Sequence, residues 1–296
     1  MTNSGHLFFS LDRMWTIGRN TMTEVIRQKF FYILLLFGIV VLCTAIYFSQ
    51  ITISTPAEQV KFIKDFGLAA IMVFGSLIAI VGTAQLLPLE LDNRTIYPIL
   101  AKPVHRAEFL LGKFVGMAAL LFLTVLLMSG IFAGLLFYAE HYFKQTTLSD
   151  PTVAVDASTR ELVNMLVRQI RDVNLVKAVV LTYFKVVMVC AISLLISTFA
   201  TSVIFNVIAS FMIYVCGHLE STARQVWVGS QASWSKFMLP IITFFVPDLN
   251  AFNIADAVVN GQFVPMHYVY KTIGYGLFYT SAVLAAAYVI FQEKEI

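Results

Sequence analysis

Long apolar runs broken by short polar stretches set the pattern of this chain. A helix needs about 20 mostly apolar residues to cross a bilayer core of ~30 Å. Six runs reach that length, approximately Phe30 to Ile51, Phe66 to Leu89, Phe114 to Tyr138, Ala178 to Ala200, Val203 to Leu219 and His267 to Phe291. They are continuously apolar, where barrel strands would alternate over roughly ten residues, and a helix satisfies its own backbone polar groups in lipid. The pattern predicts an all-α membrane protein with an N-terminal segment, 1–29, and a six-helix transmembrane domain, 30–296.

The polar stretches differ among themselves. In the N-terminal segment Leu11, Met14, Trp15, Met22, Val25 and Ile26 recur at helical spacing, while Arg13, Arg19, Asn20, Glu24 and Arg27 take other faces. This suits an amphipathic helix lying in the membrane interface; the alternative is a plain helical extension of the first span. Within 139–177, Leu162, Met165, Leu166, Ile170 and Val173 recur with Arg160, Arg168 and Arg171 between them, predicting an amphipathic helix that leads into the fourth span. Within 220–266 the stretch FMLPIITFFVPDL is too short to cross and carries Pro240 and Pro247, as a re-entrant or interfacial element would. Trp227 and Trp234 before it suit an aromatic belt. Six spans place both termini on one side together with the polar insert at 90–113. Lys and Arg number nine there against eleven elsewhere, so the count is indecisive, but the nine are denser, which places that side in the cytoplasm and 139–177 and 220–266 outside.

Composition agrees with the pattern. Hydrophobic residues make up 59% of the chain and charged residues 12%, against about 45–50% and about 25% in soluble domains. The net charge of +3 is mild and the basic residues are dispersed, which makes membrane lipids the natural partner and leaves no face for nucleic acid. Cys43, Cys190 and Cys216 all lie inside apolar runs, where a thiol behaves as a small hydrophobe, and an odd count excludes a fully paired disulfide set. The opening stretch MTNSGHLFFSLDRMWTIGRN lacks the pattern of a removable signal, so insertion is expected to use the spans. No GxxxxGK[ST] phosphate loop, GxSxG elbow or HExxH helix occurs, and Cys216-Gly217-His218 offers only two metal ligands. The chain is expected to hold no cofactor or metal and to catalyse nothing by itself.

Polar residues inside the runs are the next candidates. An uncompensated charge in a bilayer is costly, so Lys185 in the fourth run is a functional candidate. It lies about two turns from the predicted outer end, with Lys177 two turns further out on nearly the same face, so snorkelling is favoured over a substrate contact. Gln85 and Asn206 complete a candidate intramembrane polar site; for them, as for His218, the commonest use is interhelical hydrogen bonding. Gly112 with Gly116 and Gly130 with Gly134 form small-residue pairs able to admit a neighbouring helix.

The stretch IYPILAKPVHRAEFLLGK, Ile96 to Lys113, is too polar for lipid and too short for a domain. Pro103 ends any helix before it, and a new helix is expected to start near His105-Arg106-Ala107-Glu108. Two short helices at an angle would present Ile96, Ile99, Leu100, Phe109 and Leu110 within a rim of both charges, the make-up of a docking site. The plain alternative is a charged loop that orients the spans.

LELDNRTIYPILAKPVHRAEFLLGKFVG resembles the segment between the second and third spans of type-2 ABC exporter permeases. LLISTFATSVIFNVIASFMIYVCGH is similar to their fourth and fifth spans, VPDLNAFNIADAVVNG to their outer segment before the last span, and the ending FQEKEI to their terminus. Arg94 stands where a glycine is common, and the loop from Ala139 to Lys177 is longer than usual. The finer likeness is to six-span permeases of gliding machinery or multicopper-enzyme maturation. The resemblance implies the permease subunit of an ATP-driven exporter in a bacterial inner membrane, both termini cytoplasmic, moving a lipid-like or hydrophobic substrate. It implies a second permease copy or a paralogue and two separate ATPase subunits, which hold the ATP and Mg. The insert would be the coupling helix seated on the ATPase, with Arg94, Ile99, Lys102, His105, Arg106 and Glu108 as its docking residues. The alternative is a non-transporting anchor that transmits force for a cytoplasmic ATPase or assembly complex.

Overall fold

A computed structural model describes residues 11–52, 55–92, 105–148, 172–229 and 246–293, and all regular structure among the described residues is helical. In chain order the helices are α1 (Leu11–Ile26), α2 (Lys29–Thr52), α3 (Pro56–Ala84), α4 (Pro88–Asp92), α5 (Arg106–Leu148), α6 (Asn174–Phe199) and α7 (Val203–Gly229). A 3-10 turn (Asn250–Phe252), α8 (Ala255–Val259) and α9 (Met266–Glu293) complete them. Six are long and apolar enough to cross a membrane: α2, α3, α5, α6, α7 and α9.

The bundle is built around α6. Its most apolar window is 72% buried and that of α3 67%, against 22% for α2, α7 and α9, so α3 and α6 form the centre and the other spans surround them. Small polar groups fasten this centre: Ser193 Oγ donates to the Ile80 carbonyl at 3.3 Å, and Thr83 Oγ1 lies 3.3 Å from Cys190 Sγ. The outer spans carry many large exposed apolar side chains, among them Ile33, Leu36, Phe37, Ile204, Ile208 and Phe278. Such a surface is unfavourable in water and matched to lipid tails.

The element boundaries follow local chemistry. Pro56 stands at the first turn of α3, where its missing N–H costs nothing. The α3 helix closes on a tightened turn, Leu86 N–H to the Thr83 carbonyl, before Pro88 opens α4. Ala200 adopts an extended conformation that separates α6 from α7.

Several expected boundaries shift. The second span starts earlier than Phe66, because α3 already runs from Pro56. The third is one helix of 43 residues, about 65 Å at 1.5 Å per residue, so it overruns the bilayer at both ends. The descending half of the insert is therefore the first turns of α5 and not a separate short helix, and residues 139–148 extend the same helix where an outer segment was expected. Likewise α7 runs on through 220–229. The N-terminal helix is not an extension of the first span: it breaks at Arg27-Gln28 and crosses onto α5, its largest packing partner. Leu11 and Trp15 remain 67% and 66% exposed on its outer face. The expectations for residues 93–104, for the amphipathic stretch up to 171 and for the proline-containing stretch 230–245 lie outside the described residues.

Candidate functional site

The descending limb of the insert is a junction of four helices. His105 caps the start of α5: its Nδ1 accepts the Ala107 N–H at 3.2 Å, while Glu108 Oε2 reaches back to the His105 N–H at 3.4 Å. This is the reciprocal arrangement of a capping box, with a histidine ring in place of the usual hydroxyl. Glu108 has 0% exposure and also faces Arg13 of α1, with Nε 3.6 Å from Oε2. Arg106 Nη1 donates to the Phe291 and Gln292 carbonyls at 3.1 and 2.8 Å, closing the C-terminus of α9, where a cation offsets the exposed carbonyl dipoles. The His105 and Phe109 rings stack on Tyr288 and Phe291 of α9.

One turn on, Gly112 and Gly116 face α1. A Cβ on Gly112 would stand 2.9 Å from Ile17 Cβ and 3.0 Å from the Met14 carbonyl, and one on Gly116 would run into the Gly18 backbone. This small-residue pair packs α1 within the chain, and Gly18 is its reciprocal partner. Lys113, 1% exposed, forms an ion pair with Glu90 of α4 at 2.8 Å and donates to the Leu86 carbonyl at 3.2 Å. HRAEFLLGK therefore locks the insert's return to α1, to α9 and to the α3–α4 turn.

Of the six residues expected at a docking surface, Arg94, Ile99 and Lys102 lie outside the described residues. His105 is exposed, Arg106 is directed to α9, and Glu108 is turned inward to α1. Sequence reading missed the partners of the last two, Arg13 and the α9 carbonyls, because they lie far along the chain.

The three intramembrane polar candidates do not form one site. Asn206, 0% exposed, donates through Nδ2 to the Ala84 carbonyl at 3.2 Å and accepts from Ser210 Oγ at 3.1 Å, fastening the start of α7 to the end of α3. Gln85 caps the same end of α3, and its carbonyl accepts the Leu89 N–H. Replacing Asn206 by Leu should lower stability by about 1–2 kcal/mol, because a buried carbonyl loses its donor; detergent unfolding of the purified chain checks this, and an unchanged midpoint would remove Asn206 as a fastening.

Lys185 lies elsewhere and does not snorkel. It is eleven residues into α6, about 16 Å along the axis, and 0% exposed. Its Nζ is 2.8 Å from His218 Nε2 on α7 and 3.0 Å from Met72 Sδ on α3. The ring Nδ1 lies 3.4 Å from the Tyr214 carbonyl, an acceptor only, so Nδ1 carries the proton and Nε2 accepts from the ammonium. Snorkelling is excluded because Met72 of α3 and His218 of α7 hold the ammonium inside the bundle before it reaches either end. Lys177 does sit at the far end, donating to Asn174 Oδ1 and the Val264 carbonyl at 2.8 Å each, with Phe263 beneath its ammonium.

Above His218, residues 246–265 fold back over the spans. Leu249 N–H donates to the Gly217 carbonyl at 3.1 Å, Asp248 Oδ1 accepts the Asn250 and Ala251 N–H groups, and Tyr268 Oη donates to the Ala251 carbonyl at 2.7 Å. An apolar groove of about 730 Å³ lies between α5 and α6, lined by Phe122, Leu126, Gly130, Val176, Val180 and Phe184 among others. Gly130 and Gly134 meet no neighbour within 4 Å.

Six membrane-crossing helices among the described residues, with a polar junction between the second and third, make this a multi-pass membrane protein. The description "ABC-2 family transporter protein" matches residues 15–296, and the chain belongs to that family. It is a membrane permease subunit of an ABC transporter, a family that normally works with ABC ATPase partners and is not itself the ATPase. No curated protein matches the chain.

Proposed function

We propose that this permease is an exporter subunit for a lipid-like or hydrophobic substrate, energised by a separate ATPase that docks on the insert at 90–113. The complex contains two ATPase subunits, which hold ATP and Mg, and two permease chains, the second a copy or a paralogue. It works in a bacterial inner membrane with both termini on the cytoplasmic side, a placement supported by the dense Lys and Arg there. In this reading the insert at 90–113 belongs to a six-span transmembrane domain, 30–296, and residues 1–29 serve as its interfacial arm.

The observation that carries this reading is the junction at His105, Arg106, Glu108 and Lys113. A push on the insert is passed at once to α1 through Arg13, to α9 through the Arg106 cap and to α3 through Lys113. Arg106 and Glu108 are positioning residues in this scheme, and the proposed ATPase contacts fall to exposed His105 and to Arg94, Ile99 and Lys102. The apolar groove between α5 and α6 supports an apolar cargo.

Replacing Arg106 and Glu108 together by Ala should leave insertion and ATPase co-purification intact while cutting substrate-stimulated ATP hydrolysis by about tenfold, given ~1.5–3 kcal/mol for a charge-assisted bond. Unchanged stimulation would count against the insert as the transmission element. A co-purified ATPase whose rate responds to no amphiphile would instead favour the force-transmitting anchor.

A further inference from the structure

We infer that Lys185 is the anion-recognising group of a membrane-embedded site for the phosphate or carboxylate headgroup of an amphiphile, and that His218 occupies it until such a headgroup displaces the imidazole. The inference rests on the exporter reading for its purpose but on separate residues for its geometry.

Lys185 is a fully buried ammonium with three donors and two described acceptors, the His218 ring nitrogen and the Met72 sulfur, both neutral. Among the described residues no carboxylate forms an ion pair with it. Asp248 is the carboxylate whose field reaches it, and that side chain already caps the Asn250 turn. A buried charge held only by neutral acceptors is an expensive arrangement that an arriving anion would improve.

The partner is placed to give way. His218 sits on α7, whose window is 22% buried, and the bond to Lys185 is one of few polar ties between α7 and the central pair, Asn206 being another near the opposite end. When α7 shifts, Lys185 stays enclosed by α3 and α6 and loses its nearest acceptor. The direction of approach is restricted as well. A small cavity of about 60 Å³ reaches Met72 from the far end, but Asp65 and Asp256 line it and repel an anion. Entry is therefore lateral, beside α7, where Phe205, Ile208 and Met212 face lipid and match an acyl chain.

The test uses the purified full chain in phosphatidylcholine nanodiscs, titrated with a dansyl-labelled fatty acid at pH 8 and with its neutral alcohol counterpart. Wild type should bind the acid more tightly than the alcohol. Lys185→Gln should weaken acid binding about 10–100-fold and leave alcohol binding unchanged, which also shows that the variant is folded; Lys185→Arg should stay within a few-fold of wild type. His218→Ala, lacking the competing acceptor, should bind the acid as tightly or more tightly. Short-chain phosphatidic acid should displace the probe where inorganic phosphate does not. Equal acid binding by wild type and Lys185→Gln would overturn the site, and displacement by inorganic phosphate at comparable concentration would overturn its assignment to an amphiphile. Lys185-dependent binding with no effect of the acid on ATP hydrolysis by the co-purified complex would sustain the site and overturn the exporter reading.

Discussion

Valine in place of Gly116 is expected to strip α1 from the bundle. The Cβ alone would run into the Gly18 backbone, and Gly18 in turn has the Gly112 carbonyl 3.1 Å from where its own Cβ would stand. Both walls of this contact are main chain, so no side chain can swing aside, and the cost exceeds the ~1–3 kcal/mol of ordinary overpacking. The α1 helix has little else to hold it, since its contact with α2 is slight. Trypsin should therefore cut at Arg13, Arg19 and Arg27 at least about 100-fold faster than in wild type, following the population of the detached state. Gly130→Val and Gly134→Val are the controls, because their faces meet nothing within 4 Å. Equal cleavage of all three variants would show that the Gly18 contact does not hold α1.

The second large effect is expected at Lys113. Methionine there keeps the length of the side chain but removes the cation that pairs with Glu90 at 2.8 Å and the donor to the Leu86 carbonyl at 3.2 Å. Lys113 is 1% exposed, and breaking a buried pair from one side costs about 3–5 kcal/mol, because the remaining charge has no water to turn to. Unfolding of the purified chain in detergent should show that loss. Adding Glu90→Gln should restore most of it, since a neutral amide beside a thioether carries no stranded charge. A double variant as unstable as the single one would mean that the pair is not what fastens α5 to the α3–α4 turn.

The hydrophobic pattern was sufficient for the helical class and the six crossings, because lipid demands long helices and a run of apolar residues has no other stable form there. Ends were harder to read. Periodicity does not report where a helix stops once it leaves the bilayer, so the overrun of α5 to Leu148 and of α7 to Gly229 was invisible. The helix start near His105-Arg106-Ala107-Glu108 was legible because a helix boundary is set by local chemistry. Arg106 and Glu108 looked like surface charges for the same reason: their partners, Gln292 and Arg13, are distant in sequence and carry no local mark.

The candidate polar site divides along the same line. That Lys185 lies in a span is a property of its neighbours in sequence, and so is the cost of its charge. Whether it reaches the interface or turns inward depends on which helices flank it. Only the packing of α3, α6 and α7 around one another brings Met72 and His218 to its ammonium, at separations of 113 and 33 residues. Membrane, number of crossings and the polar insert were legible in the sequence, because solvent and backbone set these residue by residue. The tertiary structure decided which charges face the chain and which face outward, because a buried charge is satisfied by whatever groups the fold brings within about 3 Å of it.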